Sequence, residues 1–436
     1  MDDDRTTFVI FLLSSLEFVK HSLFKNYYEI ISSRNILSCV SSFASLPKKT
    51  YLFALCPLSE ASHRELIQVQ SKEAFGFVAA ENIYAKSPFP PFKASLKDGY
   101  AVRHPLSPGK KQLVGTVITG RSKELPQVNS EQAAYITTGA PLPPGADSVI
   151  PVEWTAESGD PGFVMISRGT HVSGQEVRQI GSDIPEGELI ISDGSHIGVT
   201  ECALLINCGV ERVQVYKRPK VAVFSTGNEL VEIGNSLSFG EIYDANRPLV
   251  IAALRKMDIE IVDLGIVRDD EVHVREAFER ALKLADIIIT SGGVSMGSHD
   301  YVKKVLERLG KVHFGRVRMK PGKPLTFATV ESENSSKRFV VGLPGNPVSC
   351  YVCFYLLVVP LIRKLSGYSK PHLPIIEAEL LDPIRLDPER PEYHRSILQW
   401  NFERHIYQAK STGDQSSSRL LSATKRYAGS RHIARM

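Results

Sequence analysis

The chain has few cysteines and little net charge of either sign. Six cysteines among 436 residues are too few for a disulfide framework, so a reducing, cytoplasmic setting is expected. A formal net charge of +4 is too small for this length to indicate a nucleic acid or an anionic membrane as partner. Any anion must therefore be bound by a local arrangement of residues.

The N-terminal segment does not have the pattern of a membrane span or of a secretory signal. The apolar run 8–13 is soon interrupted by serine and glutamate, which leaves it too short to cross a bilayer. Aspartates occupy positions 2–4, where a signal peptide would be basic. Residues 1–53 are interpreted as a leader of unknown structure, and no stable membrane insertion is expected.

Two regions of the chain have different strand patterns. Between about Pro88 and Gly187, short apolar runs alternate with glycine and proline turn signals, which is typical of a small all-β sandwich or barrel. From about Lys217 to Leu365, apolar strands alternate with helical segments, which predicts an α/β domain with a parallel sheet. Strand patterns return after Gly367, where a partial C-terminal β domain is expected.

The periodicity also predicts individual elements. A helical piece is predicted from Glu60 to about Gly76. In the α/β region the predicted strands are 221–225, 260–264, 287–290 and 339–341, and the predicted helices are 248–257, 271–284, 301–309 and 347–365.

Polar and glycine-rich loops follow several of these strands. Ligands of open parallel sheets bind beyond the carboxyl ends of the strands, near the point where the strand order reverses. After the first strand, Thr226 and Gly227 offer a hydroxyl and a tight turn that suit a phosphate; a plain capped turn is the alternative. After the third, Gly292 and Gly293 permit close approach of a ligand to the backbone, and Asp300 suits a metal ion or a ligand hydroxyl.

A stiff loop carries two lysines between prolines. Lys320 and Lys323 present positive charge at low ordering cost, which suits a small oxyanion, although most lysine pairs are simply solvated. The turn 344–346 precedes the last predicted helix, where its amides could face a phosphate or form a structural turn.

Other site types have little support in the sequence. Cys350 and Cys353 are spaced as a possible metal pair, but they lie in an apolar helical run without the further ligands that zinc needs. Buried core thiols are therefore expected. The histidines show no paired metal spacing, no nucleophile elbow supports a Ser-His-Asp site, and the glycine loops match neither a phosphate-binding P-loop nor a dinucleotide fingerprint.

Nine motif stretches in one order between residues 54 and 424 resemble the molybdopterin molybdenumtransferase family, and within it most of all the E domain of gephyrin. Each motif is weak alone, but their common order is specific. The stretches are PPF with KDGYAV (90–102), TGAP (138–141), GSDI (181–184), STGNEL (225–230), IYDANR (242–247), SGGVSMG (291–297), KPGKP (320–324), LPGNPVS (343–349) and PEYHR (391–395).

The resemblance implies an α/β multidomain fold. Its expected parts are the leader 1–53, an elongated linking α+β domain of 54–92 with 188–216, a small β-barrel-like domain 93–187, a parallel-sheet molybdopterin-binding domain 217–367, and a partial C-terminal β domain 368–436.

The resemblance also implies an enzyme of molybdenum cofactor biosynthesis. Such an enzyme uses molybdopterin-AMP and molybdate as substrates, requires Mg²⁺ and releases AMP. It is expected to be a homodimer, and a separate molybdopterin adenylyltransferase would supply its activated pterin. The alternatives are a gephyrin-like scaffold that binds receptor segments and an inactive truncated form.

Site residues carry over motif by motif. The catalytic acidic residues would be Asp98, Asp183, Glu229, Asp244, Asp269 and Asp300, with Glu229, Asp244 and Asp300 as metal ligands. Asp98, Thr138 and Asp183 would act across the dimer. The substrate-binding residues would be Thr138, Thr226, Gly227, Ser291, Gly292, Gly293, Ser295, Lys320, Lys323, Pro344, Gly345, Asn346, Arg395 and Ser422. Among these, Lys320, Lys323, Ser295, Arg395 and Ser422 would hold molybdate, since hard oxyanions prefer lysine, arginine and hydroxyl donors.

Overall fold

A computed structural model describes residues 59–424 with short gaps. The gaps are 62–64, 121–123, 171, 295–300, 333–335, 375 and 386. The expected leader 1–53 and the tail 425–436 lie outside the described residues, and so do the predicted site residues Ser295 and Asp300. The chain divides into two compact units, of which one is Leu66–Val215 and the other combines the described residues before and after it.

The unit Leu66–Val215 is built mainly from strands. In chain order its elements are β1 (Leu66–Gln70), β2 (Ile83–Tyr84), β3 (Ala94–Ser95), β4 (Gly99–Val102), β5 (Gly109–Val117), β6 (Gln132–Ile136), β7 (Ser148–Pro151), β8 (Thr155–Glu157), β9 (Phe163–Ile166), β10 (Val177–Arg178), β11 (Leu189–Ile191), α1 (Val199–Asn207) and β12 (Arg212–Tyr216).

A six-stranded sheet with the order β7-β4-β6-β5-β9-β8 dominates this unit. Successive residues of a strand point to opposite faces, and both faces are packed here. Ala101 packs with Val117 and Ile136 on one face, whereas the next residue, Val102, packs with Ile150 on the other. The predicted all-β region between Pro88 and Gly187 is thereby confirmed.

The helix predicted from Glu60 to about Gly76 is wrong from Leu66 onward, and its positions 62–64 lie outside the described residues. Leu66–Gln70 forms β1, which pairs with β12, and Ser71–Glu73 makes a short 3-10 turn. Ile67 and Val69 lie two residues apart and both pack on the core around Leu205. A period of two places them on one face of a strand, so core packing decided the local structure.

The second unit contains the α/β region and a small C-terminal sheet. Its elements are β13 (Val221–Thr226), β14 (Leu230–Val231), β15 (Ile242–Tyr243), α2 (Asn246–Arg255), β16 (Ile261–Val267), α3 (Glu271–Leu284), β17 (Ile287–Ser291), α4 (Tyr301–Leu309), β18 (Lys311–Phe314), β19 (Thr326–Glu331), β20 (Lys337–Leu343), α5 (Pro347–Cys353), α6 (Val359–Leu365), β21 (Glu379–Leu380), β22 (Ser396–Asn401) and β23 (Ile406–Ser411).

The main sheet has the order β16-β13-β17-β20-β19-β18. The first four strands are parallel, as predicted. The sheet as a whole is mixed, because β19 runs antiparallel to β20 and β18 antiparallel to β19. β20 follows β19 too closely for a crossover helix, and antiparallel pairing is the arrangement that such a short connection allows.

Helices cover both faces of the parallel strands. On β13, Val221 and Val223 pack in a cluster with α2 and α5, whereas Ala222 and Phe224 pack in a cluster with α3 and α4. Every residue of β13 is buried, which explains its continuous apolar sequence.

The segment Pro347–Leu365 is helical throughout but changes its hydrogen-bonding pattern at a π turn, Phe354–Val358. Pro360 follows within α6; it lacks an amide proton and would clash with the preceding turn of a regular helix. This segment is long and apolar enough to cross a membrane, with a mean hydropathy of 1.7, but 78% of it is buried inside the protein. It is therefore a core helix.

The C-terminal sheet has three strands in the order β21-β23-β22. β22 and β23 form an antiparallel hairpin in which Leu398 and Ala409 supply the buried core. The strand patterns expected after Gly367 are therefore confirmed, although β21 is only two residues long.

Candidate functional site

The strand order of the α/β sheet reverses between β13 and β17. After β13 the chain continues to β16 on one side, whereas after β17 it continues to β18, β19 and β20 on the other side. Ligands of such sheets bind at the carboxyl ends of the two strands at this reversal. Ser225 and Ser291 stand opposite each other there, both buried, with 2.9 Å between their Oγ atoms. The predicted loops after these strands therefore lie at one edge.

Asp244 is a buried anchor below this edge. Its Oδ1 accepts hydrogen bonds from Ser225 Oγ at 3.0 Å and from the main-chain N of Arg247 at 3.2 Å. Its Oδ2 accepts one from Arg247 Nε at 3.0 Å. Both carboxylate oxygens are thus engaged, and the side chain is 1% exposed.

Arg247 joins Asp244 to two further carboxylates. It donates to Asp263 at 2.6 Å and also contacts Glu232. Burial disfavours the charge on Arg247, but its hydrogen bonds to Asp263 and Asp244 outweigh burial and raise the pKa of the guanidinium. This network fixes the start of α2 beneath the sheet edge.

The two adjacent glycines allow two of the loops to pack together. Gly292 and Gly293 have φ of +87° and +60°, which side chains rarely adopt. A Cβ on Gly292 would lie 2.2 Å from the carbonyl oxygen of Thr226. Thr226 Oγ1 donates to Asp269 Oδ1 at 3.3 Å, so Thr226, Gly292 and Asp269 are brought together.

The turn Pro344-Gly345-Asn346 completes this edge. The amide of Gly292 donates to the carbonyl of Leu343 at 3.2 Å, which joins this turn to the glycine loop. Asn346 Nδ2 donates to Ser417 Oγ at 3.0 Å, and the amide of Val348 donates to the Ser417 carbonyl at 3.0 Å. The first turn of α5 is therefore partly capped by the C-terminal segment, while Gly345 and Asn346 remain exposed.

The two lysines of the stiff loop have different surroundings. Lys320 Nζ donates to Glu392 Oε2 at 3.3 Å and lies 3.9 Å from Asp387. Lys323 is exposed, and its side chain forms no hydrogen bond or ion pair within the described part of the chain. A Cβ on Gly322, between the lysines, would lie 2.5 Å from Cys353 Sγ, so this loop packs tightly on α5.

Arg395 and Ser422 are in direct contact. Arg395 Nε donates to Ser422 Oγ at 3.0 Å, and a terminal nitrogen donates to the Ser416 carbonyl at 2.9 Å. Arg395 is 3% exposed. No carboxylate lies within ion-pair distance of it among the described residues, and burial lowers its pKa to about 10.

The remaining predicted residues lie in the unit Leu66–Val215. Asp98 Oδ1 accepts a hydrogen bond from the amide of Thr138 at 2.8 Å, so these two residues are in direct contact. Asp183 pairs with Arg178 instead, and this hydrogen bond lowers the pKa of the Asp183 carboxyl. All three predicted residues are exposed.

Of the predicted magnesium ligands, Asp300 lies outside the described residues, so only Glu229 and Asp244 can be placed. Across the described residues no three His, Cys, Asp or Glu side chains are close enough to hold a metal ion. Glu229 is exposed at the end of β13 and lies beside Gly227. Asp244 does not fit a ligand role in this arrangement, because its oxygens already accept hydrogen bonds from Ser225 and Arg247.

The expectation that the two cysteines are core thiols is confirmed. Cys350 and Cys353 are fully buried. Burial raises the pKa of Cys350 to about 12 and that of Cys353 well above its ordinary value. Both therefore remain protonated and unreactive at neutral pH.

Three well-placed residues were not singled out from the sequence. Glu392 lies in the motif that contains Arg395, and Arg247 lies in the motif that contains Asp244. Both residues could therefore have been found from their motifs. Ser417 contacts Asn346 across 71 residues, and no local pattern marks it.

Family models match two adjoining parts of the chain. The model described as "MoeA N-terminal region (domain I and II)" matches residues 44–209, and the model described as "Probable molybdopterin binding domain" matches residues 222–364. The matches extend over both compact units.

Curated relatives and a solved structure agree with these models. Gephyrin of Dictyostelium discoideum is 39% identical over 88% of this chain, which spans 59% of that protein's length. Molybdopterin molybdenumtransferase of Haemophilus influenzae is 39% identical over 74% of this chain and 80% of that protein. The structure of a molybdopterin biosynthesis MoeA protein from Pyrococcus horikoshii superposes with a TM-score of 0.62, at 31% identity, over 82% of this chain and 88% of that one.

Proposed function

Since the chain belongs to the molybdopterin molybdenumtransferase and gephyrin family of molybdenum cofactor biosynthesis, we propose that it inserts molybdate into molybdopterin-AMP and releases AMP. The pterin nucleotide would lie at the edge formed by the loops after β13, β17 and β20. Its phosphates suit the exposed amides of Gly345 and Asn346 and the glycine backbone at 292–293.

The observation that carries the proposal is the buried guanidinium of Arg395. Among the described residues it donates to a serine hydroxyl and a main-chain carbonyl and has no carboxylate within ion-pair distance. Burying such a cation is costly, and an oxyanion would complete its surroundings. Ser422 donates its hydroxyl proton to the Arg419 carbonyl at 2.7 Å, so the hydroxyl can redirect this proton towards an anion. Lys323 adds an exposed cation without a carboxylate partner among the described residues.

Magnesium fits Glu229 better than Asp244. Mg²⁺ in phosphate-binding sites keeps several water ligands and takes one or two carboxylates together with substrate phosphates. The exposed carboxylate of Glu229 suits that role, and Asp244 serves instead to hold Ser225 and Arg247. Magnesium held there would neutralise the charge of the phosphoanhydride.

We further propose that the protein acts in the cytoplasm as a homodimer and that a separate adenylyltransferase supplies molybdopterin-AMP. Light scattering of the purified chain tests the dimer. A scaffold that binds receptor segments has no specific support among the described residues, and no such role is proposed.

The decisive experiment measures AMP release from molybdopterin-AMP with molybdate and magnesium. Molybdate-dependent release is expected from the unmodified chain and not from a Lys320→Ala, Lys323→Ala variant. A Lys283→Ala, Lys410→Ala variant removes the same charge from exposed positions elsewhere and should retain full activity. A folded, unmodified chain that releases no AMP would refute the proposal.

A further inference from the structure

Glu392 is a buried carboxylate at the lysine loop to which the proposed reaction assigns no role. It is 4% exposed. Its Oε2 accepts hydrogen bonds from Lys320 Nζ at 3.3 Å and from the amide of Asp387 at 3.2 Å, and its Oε1 lies 3.7 Å from His394 Nδ1. A carboxylate this deeply buried requires a counter-ion. Burial lowers the pKa of His394, which favours its neutral form, so Lys320 is that counter-ion.

The backbone fixes the distance between these two charges. The amide of Lys320 donates to the carbonyl of Pro391 at 2.9 Å, and the amide of Tyr393 donates to the carbonyl of Lys320 at 2.7 Å. The two segments are thus joined on both sides of Glu392. Lys320 cannot move away from the carboxylate without breaking these bonds or changing its own rotamer.

A second carboxylate faces the same ammonium. Asp387 lies 3.9 Å from Lys320 Nζ and is held in place by Arg390 at 2.7 Å. The other two cations assigned to the oxyanion differ in this respect, because neither Lys323 nor Arg395 has a carboxylate partner within the described ranges. Of the three, Lys320 alone has carboxylates within ion-pair distance among the described residues.

We propose that Glu392 competes with the oxyanion for Lys320 and thereby keeps oxyanion binding weak. This inference rests on the proposed function, in which the lysine loop and Arg395 hold molybdate. Glu392 acts as a positioning residue: it orients the ammonium, withdraws part of its hydrogen-bonding capacity and repels a dianion placed beside it. Weak binding suits an anion that must leave the site for the pterin, because tight binding of a substrate does not accelerate its reaction.

Glu392→Gln tests the inference, because glutamine keeps the shape and one hydrogen-bond acceptor but removes the charge. Titration of the purified full chain with sodium molybdate, and separately with sodium sulfate, gives the dissociation constants by calorimetry. The variant is expected to bind molybdate about tenfold more tightly than the unmodified chain. Glu389→Gln removes an exposed carboxylate from the same segment and should change the affinity less than about twofold because water and salt screen it.

The outcomes separate this inference from the function on which it rests. If the unmodified chain binds molybdate and Glu392→Gln binds it equally or more weakly, the inference alone is overturned. No molybdate binding by either the unmodified chain or Glu392→Gln, with both folded, would overturn both. If Glu392→Gln does not fold, Asp387→Asn must tighten molybdate binding in the same direction by a smaller factor, and unchanged affinity there refutes the competition. If Glu392 only stabilised the fold, Glu392→Gln would lower the melting temperature without lowering the dissociation constant for molybdate.

Discussion

The guanidinium of Arg395 contacts the hydroxyl of Ser422 at 3.0 Å, although 27 residues separate them along the chain. The loop after β23 makes this contact possible: Gln415 accepts a hydrogen bond from the amide of Arg395 at 2.7 Å, and the Ser416 carbonyl accepts one from its guanidinium. The arginine is therefore held in one orientation by neutral groups. Its charge remains available to an anion.

Arg395→Met should weaken oxyanion binding without unfolding the protein. Methionine fills a similar volume, and no carboxylate loses its partner, so the free energy of unfolding should change by no more than about 1–2 kcal/mol. The dissociation constant for molybdate should rise at least about tenfold. Calorimetric titration and urea unfolding measure the two effects.

Arg404→Met is the matched control for that substitution. Arg404 is 56% exposed and pairs with Glu379 on the same small sheet, so its loss should alter neither quantity appreciably. A large loss of stability in Arg395→Met with unchanged molybdate affinity would make Arg395 a structural residue instead.

Gly292→Ala should disrupt the packing of the loops at the sheet edge. Its φ of +87° strains any side chain, and its Cβ would lie 2.2 Å from the Thr226 carbonyl oxygen. Together these effects should cost about 3 kcal/mol or more of the free energy of unfolding. Gly265→Ala has a φ of +76° with no atom within 4 Å of the new Cβ, and it should cost only about 1 kcal/mol. Equal losses in thermal unfolding of the two variants would show that the close approach is unimportant.

The parallel strands and the loops after them could be predicted because their signals are local. β13 and β17 are buried on both faces, which makes their sequences continuously apolar, and glycines mark where the backbones approach. The two antiparallel strands β18 and β19 were missed because no helical pattern separates β19 from β20. Their pairing is visible only in the assembled sheet.

The chemistry of single side chains was less predictable from sequence. Asp244 was expected to bind a metal ion, yet its surroundings depend on Ser225 and Arg247 across two different elements. The contact between Arg395 and Ser422 was expected only in the sense that both would hold one anion. The contact between Lys320 and Glu392 was not expected at all, because it depends on a β-bridge between two distant segments of the chain.

Asp244→Asn and Glu229→Gln should separate structural from metal-binding carboxylates. Asp244→Asn removes the charge paired with buried Arg247, and it should cost about 3 kcal/mol of the free energy of unfolding. The magnesium concentration for half-maximal AMP release should stay near that of the unmodified chain. Glu229→Gln should leave stability unchanged and raise that magnesium concentration at least about tenfold. If instead Asp244→Asn raised the magnesium requirement and Glu229→Gln did not, Asp244 would be the magnesium ligand.

Stability should fall on mild acidification because burial, partial for His313 and His372, keeps three histidines neutral. Burial lowers the pKa of His313, His372 and His394 below the ordinary value of 6.5. The unfolded chain therefore binds protons at a pH where the folded chain does not. The contribution of these residues is fully present above pH 6.5 and is lost as the pH falls through their lowered pKa values.

His372→Leu should reduce that pH dependence. The pKa of His372 is lowered first by burial and then by Arg363. Its Nε2 has no hydrogen-bond partner in the described part of the chain, so an apolar side chain there removes an unsatisfied polar atom. The free energy of urea unfolding, measured from about pH 7 to about pH 5, should fall less steeply than in the unmodified chain. His405→Asn is the control: this histidine is exposed with a φ of +50°, which asparagine tolerates, and the slope should not change. A His372→Leu slope equal to that of the control would mean that His372 does not contribute to the acid sensitivity.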